Sequence, residues 1–168
     1  MEKATPEQTL ERLAQLYQRP LLRLCCVILR DAASAEDAVQ ETYLRAFRGL
    51  HAFRGASGEK TWLTAIALNV CRDMRRSAWW RHMERRFTPE DMADTPAAPA
   101  NADTGDSLAL GQAIARLPGK YRDAVLLYYY HDMSLAEAAQ VLNTSPATVS
   151  KRLARARAML KEELEVRL

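Results

Sequence analysis

Apolar residues recur at helical spacing along both halves of the chain, and no stretch alternates apolar and polar residues as a strand would. Together with capping residues, this pattern predicts helices over residues 6–18, 20–30, 34–48, 59–76, 107–117, 119–131, 135–142 and 146–166. The fourth helix has room to continue to Arg86. The periodicity therefore predicts an all-α protein made of two small helical domains.

The third predicted helix, residues 34–48, has two faces of different composition. One face is an apolar stripe expected to pack in the core: Val39, Tyr43, Ala46 and Phe47. The other face mixes acids, an amide, a leucine and an arginine at helical spacing: Asp37, Gln40, Glu41, Leu44 and Arg48. Docking of another protein explains this mixture, and simple solvation explains it as well. Spacing alone leaves both interpretations open.

The fourth predicted helix combines a core stripe with a ridge suited to nucleic acid. Its core positions are Leu63, Ile66, Val70 and Met74. Its ridge aligns an aromatic ring, an amide and charged groups: Trp62, Asn69, Asp73 and Arg76. Rings stack on bases of a single strand, each for about 1–3 kcal/mol, while amides bind base edges and guanidinium groups bind phosphates. The alternative makes Trp62 a core anchor and Asp73 a partner of an arginine in the same helix, where Arg76 at i+3 can face it and Arg72 at i−1 cannot.

Residues 134–160 carry the pattern of a helix-turn-helix. Ser134 and Glu137 form a capping box, Asn143 suits a left-handed helix exit, and Ser145-Pro146 begins a second helix. The second helix has a core stripe: Val149, Leu153, Ala156 and Leu160. Its other early positions are small, polar or basic: Ala147, Thr148, Ser150, Lys151, Arg152, Arg155 and Arg157. Five basic residues and no acidic one between positions 145 and 161 favour the major groove of duplex DNA over a merely solvated helix.

Charge divides the chain into three segments. Residues 1–86 carry 15 basic and 10 acidic side chains, residues 87–107 carry 5 acidic and none basic, and residues 108–168 carry 9 basic and 6 acidic. The middle segment also has three prolines and few large apolar residues. It therefore predicts a flexible acidic linker between a domain at 1–86 and a domain at 108–168.

Composition also restricts the class of protein. No segment approaches the roughly 18 consecutive apolar residues of a membrane span, and the N-terminus lacks a signal-peptide pattern, which predicts a cytoplasmic protein without membrane insertion. The three cysteines have no metal-site spacing and are expected to be reduced core residues. No catalytic residue, cofactor or metal is expected, because neither a nucleophile–base pair nor a phosphate-binding glycine loop is visible. The protein is thus not expected to be an enzyme.

Three motifs in this order resemble the bacterial RNA polymerase sigma factors of the extracytoplasmic-function group, within the sigma-70 family. Residues 28–55 resemble the polymerase-binding part of sigma domain 2, and residues 59–76, EKTWLTAIALNVCRDMRR, resemble its promoter-melting part. Residues 113–160 resemble sigma domain 4. Two departures from the family pattern, Asn143 in place of the usual Gly and Pro146 near the start of the recognition helix, bear on promoter sequence rather than on fold.

The resemblance implies core RNA polymerase, promoter DNA and an anti-sigma factor as partners. The polymerase contacts would be the β′ clamp helices and the β flap, with the clamp helices met by Asp37, Gln40, Glu41, Leu44 and Arg48. Flipped bases of the minus-ten element would be trapped by the fourth predicted helix and the loop before it, at residues 50–60. The minus-ten residues would be Trp62, with Asn69 and Asp73 as base-reading and loop-ordering groups and Arg75 and Arg76 on phosphates. The minus-thirty-five element would be bound as duplex by Ala147, Thr148, Ser150, Lys151, Arg152 and Arg155.

Two questions stay open at the level of the sequence. The acidic linker either mimics nucleic acid in the basic channels of the polymerase, as the resemblance implies, or acts only as a tether. The whole chain has an alternative interpretation as an autonomous helix-turn-helix regulator, with residues 1–86 as a ligand or dimerisation domain. Dependence on core polymerase would distinguish this regulator from a sigma factor.

Overall fold

The computed structural model describes residues 2–77 and 105–166. The chain divides into two compact units between Arg86 and Phe87. Every regular element in the described residues is helical, which confirms the all-α fold expected from the periodicity. No helix in those two ranges is long and apolar enough to cross a membrane.

Three helices form the first unit: α1 (Pro6–Leu29), α2 (Ala32–Gly49) and α3 (Glu59–Arg76), with a 3-10 turn at Leu50–Ala52. α1 packs against both α2 and α3. Four leucines at the centre are almost fully buried: Leu13, Leu21, Leu63 and Leu68. Burial of these apolar side chains is the main stabilising contribution to a core of this kind. The three cysteines are free and buried in the same unit, as predicted.

The prediction of two separate helices at 6–18 and 20–30 is wrong, because Pro20 lies inside one 24-residue helix. Proline at this position costs one backbone hydrogen bond. The apolar stripe of α1 is nevertheless buried on both sides of it, at Leu13 before the proline and at Leu21 and Leu24 after it. Packing of this stripe therefore favours a continuous helix over a break.

The apolar stripe predicted for α2 is partly wrong. Phe47 is 39% exposed and Tyr43 is half-buried, whereas Val39 and Ala46 are buried as predicted. The buried arc of α2 is centred on small side chains: Ala35, Ala38, Thr42 and Ala46. Small residues allow the backbones of neighbouring helices to approach closely, so the buried arc is displaced toward them and Phe47 lies at its edge.

α3 has the predicted bounds but a narrower core stripe. Leu63 and Val70 are buried, while Ile66 and Met74 are only half-buried. The helix ends at Arg76 because the backbone of Ser77 is extended, so an unbroken continuation to Arg86 is wrong. The basic, aromatic segment after Ser77 lies outside the described residues.

The second unit contains α4 (Gly105–Arg116), α5 (Gly119–Val125), a π-helical segment (Leu126–Tyr130), α6 (Leu135–Leu142) and α7 (Pro146–Val166). α7 packs against α4, α5 and α6. The bounds of α6 and α7 are those predicted, and the predicted α7 stripe of Val149, Leu153, Ala156 and Leu160 is buried.

Two predicted boundaries in the second unit are wrong. α4 begins at Gly105 and so includes the last three residues of the predicted linker, whose other residues lie outside the described part of the chain. The helix predicted over 119–131 changes to π-helix at Leu126, where the His131 N–H donates to the Leu126 carbonyl at 2.9 Å. This wider turn ends the helix with His131 and Met133 both buried.

Candidate nucleic-acid interface

The polar face of α2 lies open to solvent. Asp37, Gln40, Leu44 and Arg48 are exposed, and Glu41 is half-buried. Leu44 is 52% exposed, and Phe47, which the sequence analysis assigned to the core, adds a second exposed apolar side chain beside it. The i, i+3 spacing of Leu44 and Phe47 is a signal that could have placed Phe47 on this face. An apolar centre with a polar margin has the composition of a protein-docking surface.

A cavity of about 650 Å³ lies between the end of α2, the loop at 52–57 and α3. Phe53 and Trp62 line it, and their rings stack with centroids 4.5 Å apart and planes 22° apart. Asn69, two turns further along α3, lines the same cavity and is exposed. A stacked aromatic wall with an amide beside it suits a flat ring that has polar edges, such as a nucleobase.

The environment of Trp62 fits both interpretations that the sequence left open. Stacking on Phe53 leaves it half-buried, and a Cβ built at Gly49 would lie 3.8 Å from its ring. The same side chain still lines the cavity. The stacking contact with Phe53 restricts the orientation of the Trp62 ring, which favours stacking of a flat ligand on it.

Asp73 has a partner on another helix, which the spacing of residues within α3 does not indicate. Its Oδ2 accepts a hydrogen bond from Nη1 of Arg45 at 3.0 Å. Arg45 Nε also donates to Oε1 of Glu41 at 3.1 Å, and Arg45 lines the cavity. These two interactions raise the pKa of Arg45, the bond with Glu41 being the larger cause. Asp73 itself does not line the cavity, so the structure connects it to that space through Arg45.

The remaining predicted minus-ten residues lie at the C-terminal end of α3. Arg75 is half-buried and Arg76 is exposed, and neither lines the cavity.

A second ion pair holds the N-terminal end of α3, where Arg12 of α1 donates two hydrogen bonds to Glu59 at 2.8 and 2.9 Å. This two-pronged contact fixes the point at which the cavity loop enters α3.

In the second unit, local caps mark the end of α6 and the start of α7. The Ser134 hydroxyl accepts from the Glu137 N–H at 3.1 Å, and the Glu137 carboxylate accepts from the Ser134 N–H at 3.0 Å. Asn143 ends α6 in the left-handed conformation, with φ of 54°. The Ser145 hydroxyl then accepts from the Thr148 N–H at 3.1 Å. Each of these features follows from the sequence pattern.

The α7 residues predicted to contact DNA are all at least partly accessible to solvent. Four of them are exposed: Ala147, Ser150, Lys151 and Arg155. Thr148 and Arg152 are half-buried. Arg157 has a different environment, because its Nη1 donates to the Tyr129 hydroxyl at 2.8 Å. Tyr128, Tyr129 and Tyr130 are all exposed, an aromatic cluster that the sequence analysis did not assign.

Comparison with known proteins identifies both units. Residues 13–81 match the family described as Sigma-70 region 2, and residues 107–160 match Sigma-70, region 4. The ECF RNA polymerase sigma factor SigM of Mycobacterium tuberculosis is 32% identical over 151 residues, which cover 89% of this chain and 74% of SigM. SigC of the same species is 33% identical over 159 residues, covering 94% of this chain and 84% of SigC.

Solved structures agree with this match. The sigma factor RpoE of Bartonella quintana, in complex with the anti-sigma factor NepR, has a TM-score of 0.63 at 25% identity and covers 93% of this chain and 98% of that one. CnrH, in complex with the cytosolic domain of CnrY, has the same fold, with a TM-score of 0.71 at 24% identity over 95% of this chain and 90% of that one. The chain belongs to the extracytoplasmic-function group of the sigma-70 family of RNA polymerase sigma factors. It is therefore a transcription initiation factor. These matches do not favour the alternative interpretation of the chain as an autonomous helix-turn-helix regulator.

Proposed function

We propose that this protein binds core RNA polymerase through α2, captures a base of the minus-ten element in the cavity beside α3, and binds the minus-thirty-five element through α7. The observation that carries the proposal is the cavity, where the stacked Phe53–Trp62 pair and the Asn69 amide meet. A duplex-only regulator has no use for such a cavity, whereas promoter melting requires a site for an unstacked base.

The docking surface on α2 comprises the five residues predicted from the sequence together with Phe47. Leu44 supplies its apolar centre and Phe47 adds apolar surface at one margin, and the clamp helices of the polymerase β′ subunit are the partner. Binding energy at such surfaces is concentrated in a few central side chains. The exposed tyrosines at 128–130 are the candidate contact for the β flap, because exposed aromatic side chains are enriched at protein interfaces.

The minus-ten surface includes Trp62, Asn69, Asp73, Arg75 and Arg76. Trp62 stacks on the flipped base and Asn69 binds its polar edge, while Arg75 and Arg76 contact the phosphate backbone. Asp73 acts through Arg45 rather than by touching DNA. The minus-thirty-five surface consists of the six α7 residues, with base contacts near the helix N-terminus and Arg155 nearer to phosphate.

The organisation of the whole chain belongs to the same proposal. Residues 1–86 form sigma domain 2, residues 108–168 form sigma domain 4, and the acidic segment between them connects the two. The protein acts in the cytoplasm, catalyses no reaction itself and is held inactive by an anti-sigma factor. Support for this control comes from RpoE of Bartonella quintana, whose matching structure is a complex with an anti-sigma factor.

Run-off transcription with purified core polymerase tests the proposal. The promoter is taken from DNA near the gene of this protein, and we expect a specific transcript only when the protein and core polymerase are both present. A gel shift of the promoter by the protein alone, with no transcript on addition of polymerase, would favour an operator-binding regulator instead.

A matched pair of leucine variants tests the docking surface. Leu44→Glu places a charge at the centre of the surface, and Leu16→Glu places the same charge on α1, where Leu16 is 56% exposed. We expect Leu44→Glu to lose binding to core polymerase by at least about tenfold, because desolvating an unpaired charge at an interface costs several kcal/mol. Leu16→Glu should bind normally, and equal losses in both variants would exclude α2 as the docking surface.

A further inference from the structure

Arg45 joins two surfaces that bind different partners. Its Nε donates to Glu41 at 3.1 Å within α2, and its Nη1 donates to Asp73 on α3 at 3.0 Å. Glu41 belongs to the proposed polymerase-docking face, one turn from the exposed Leu44. Arg45 itself lines the cavity proposed to receive a base. The guanidinium group of Arg45 therefore touches a docking residue and a residue of α3, and Arg45 also forms part of the cavity wall.

Neither ion pair is deeply buried. The side chain of Arg45 is 37% exposed, and those of Glu41 and Asp73 are 40% and 52% exposed. Exposed pairs of this kind are weak in water, because solvent screens the charges and the side chains lose rotamer freedom when they pair. In the protein without a partner, the guanidinium group is consequently held only loosely against the cavity.

We propose that Arg45 is a positioning residue that couples polymerase docking to base capture, an inference that rests on the proposed function of both surfaces. Docking covers Glu41 and removes water from it, which strengthens its bond with Arg45. The guanidinium group is then fixed at the cavity wall before the base arrives. Less conformational entropy of the Arg45 side chain is then lost when the base binds, so the base binds more tightly. This effect is positive coupling between the two sites.

The geometry requires arginine at this position. The guanidinium group is planar and can donate to carboxylates on two different helices at once, whereas the lysine ammonium is a point charge on a flexible stem. Arg45 Nη2 makes no hydrogen bond within the described residues, so one end of the group keeps its donors for a ligand. Lysine would keep the charge but lose the bridge.

The test compares the affinity for single-stranded DNA with and without polymerase. The probe is a fluorescent single strand with the non-template minus-ten sequence of a promoter that the protein transcribes in vitro. Its dissociation constant is measured by anisotropy for the full-length protein alone and for the holoenzyme. The ratio of these two constants is the coupling, and the contacts that polymerase itself makes with the strand are common to all variants.

We expect Arg45→Gln and Arg45→Lys to reduce this ratio by about two- to fivefold, the range set by partly exposed ion pairs. Arg23→Gln removes an equal charge from an exposed position on α1 and should leave the ratio unchanged. By reciprocity, the strand should raise the affinity of the parent protein for core polymerase more than it raises that of Arg45→Gln. Circular dichroism checks that the variants keep the parent helical content.

Two results would overturn the inference while leaving the proposed function intact. If Arg45→Gln weakens both affinities by the same factor, Arg45 is only a direct DNA contact. An unchanged ratio with unchanged affinities would mean that Arg45 takes no part. Failure of the parent protein to bind core polymerase would instead contradict the proposed function itself.

Discussion

Arg12 and Glu59 show how a single pair of residues can anchor the end of a loop. Two short hydrogen bonds join α1 to the first residue of α3, directly after the loop that lines the cavity. The hydrogen bonds from Arg12 lower the pKa of Glu59 below its ordinary value of 4.5. A carboxylate whose pKa is lowered on folding stabilises the folded state above the pKa of the unfolded chain. That stabilisation is lost as the pH falls through the pKa of the folded state.

At the residue scale, we therefore expect Glu59→Gln to destabilise the first unit at pH 7 and to have little effect near pH 3. The loss at pH 7 should be about 0.2–1 kcal/mol, as for other solvent-exposed ion pairs. Urea unfolding followed by tryptophan fluorescence reports on this unit, because all three tryptophans lie between residues 62 and 80. Glu11→Gln removes the same charge from an exposed α1 position as a control. A loss of equal size at both pH values would contradict the linkage.

The loop between α2 and α3 illustrates the element scale. Gly55 has φ of +74°, in the left-handed region that side chains disfavour, and a Cβ built there would meet no atom within 4 Å. Any penalty for alanine at this position comes from backbone strain alone. Gly49 differs, because its backbone has φ of −95° and an added Cβ would make only an ordinary contact with Trp62 at 3.8 Å.

We expect Gly55→Ala to cost about 1–2 kcal/mol, the usual penalty for a left-handed alanine. Either the first unit loses this stability or the loop changes its conformation, and both outcomes should impair open-complex formation. Gly49→Ala should be neutral or slightly stabilising, because alanine reduces the entropy of the unfolded chain. Urea unfolding measures stability, and permanganate footprinting of a double-stranded promoter measures melting. Identical behaviour of the two variants would show that the loop backbone is not under constraint.

At the scale of the whole molecule, the proposed function assigns two surfaces to different steps of initiation. We expect Arg155→Ala to weaken binding of the holoenzyme to the closed promoter and to lower its salt slope by about one. Asn69→Ala should leave closed binding unchanged and impair only melting. Lys161→Ala, further along α7, and Gln15→Ala, on α1, are matched controls at exposed positions. Normal permanganate reactivity with Asn69→Ala would exclude this residue from single-strand capture.

The acidic linker also belongs to the scale of the whole molecule. Its five acids are Glu90, Asp91, Asp94, Asp103 and Asp106, and no base accompanies them. If these charges imitate nucleic acid in a basic channel, replacing all five with Asn or Gln should alter abortive product yields while the holoenzyme still assembles. The change should diminish at high salt, which screens exposed charges. Abortive yields identical to those of the parent at low and high salt would indicate a simple tether.

The helix-turn-helix was predictable to the residue, because its determinants are local. A capping box, a residue that tolerates the left-handed conformation and a Ser-Pro helix start act within a few positions of one another, so α6 and α7 have the predicted bounds. The apolar stripe of α7 followed from the same helical period. The π-helical turn at 126–130 was missed, because it depends on the burial of His131 and Met133 in the assembled unit.

The sequence by itself determined the helical class, most helix bounds and the residue types on each face, since these depend on periodicity and on neighbouring side chains. Only the tertiary structure decided that α1 continues through Pro20, that Phe47 is exposed and that Arg45 lies between Glu41 and Asp73. Each of these outcomes depends on contacts between helices distant in sequence. Such contacts form when the helices pack, and the period of one helix contains no information about which residue of another will face it.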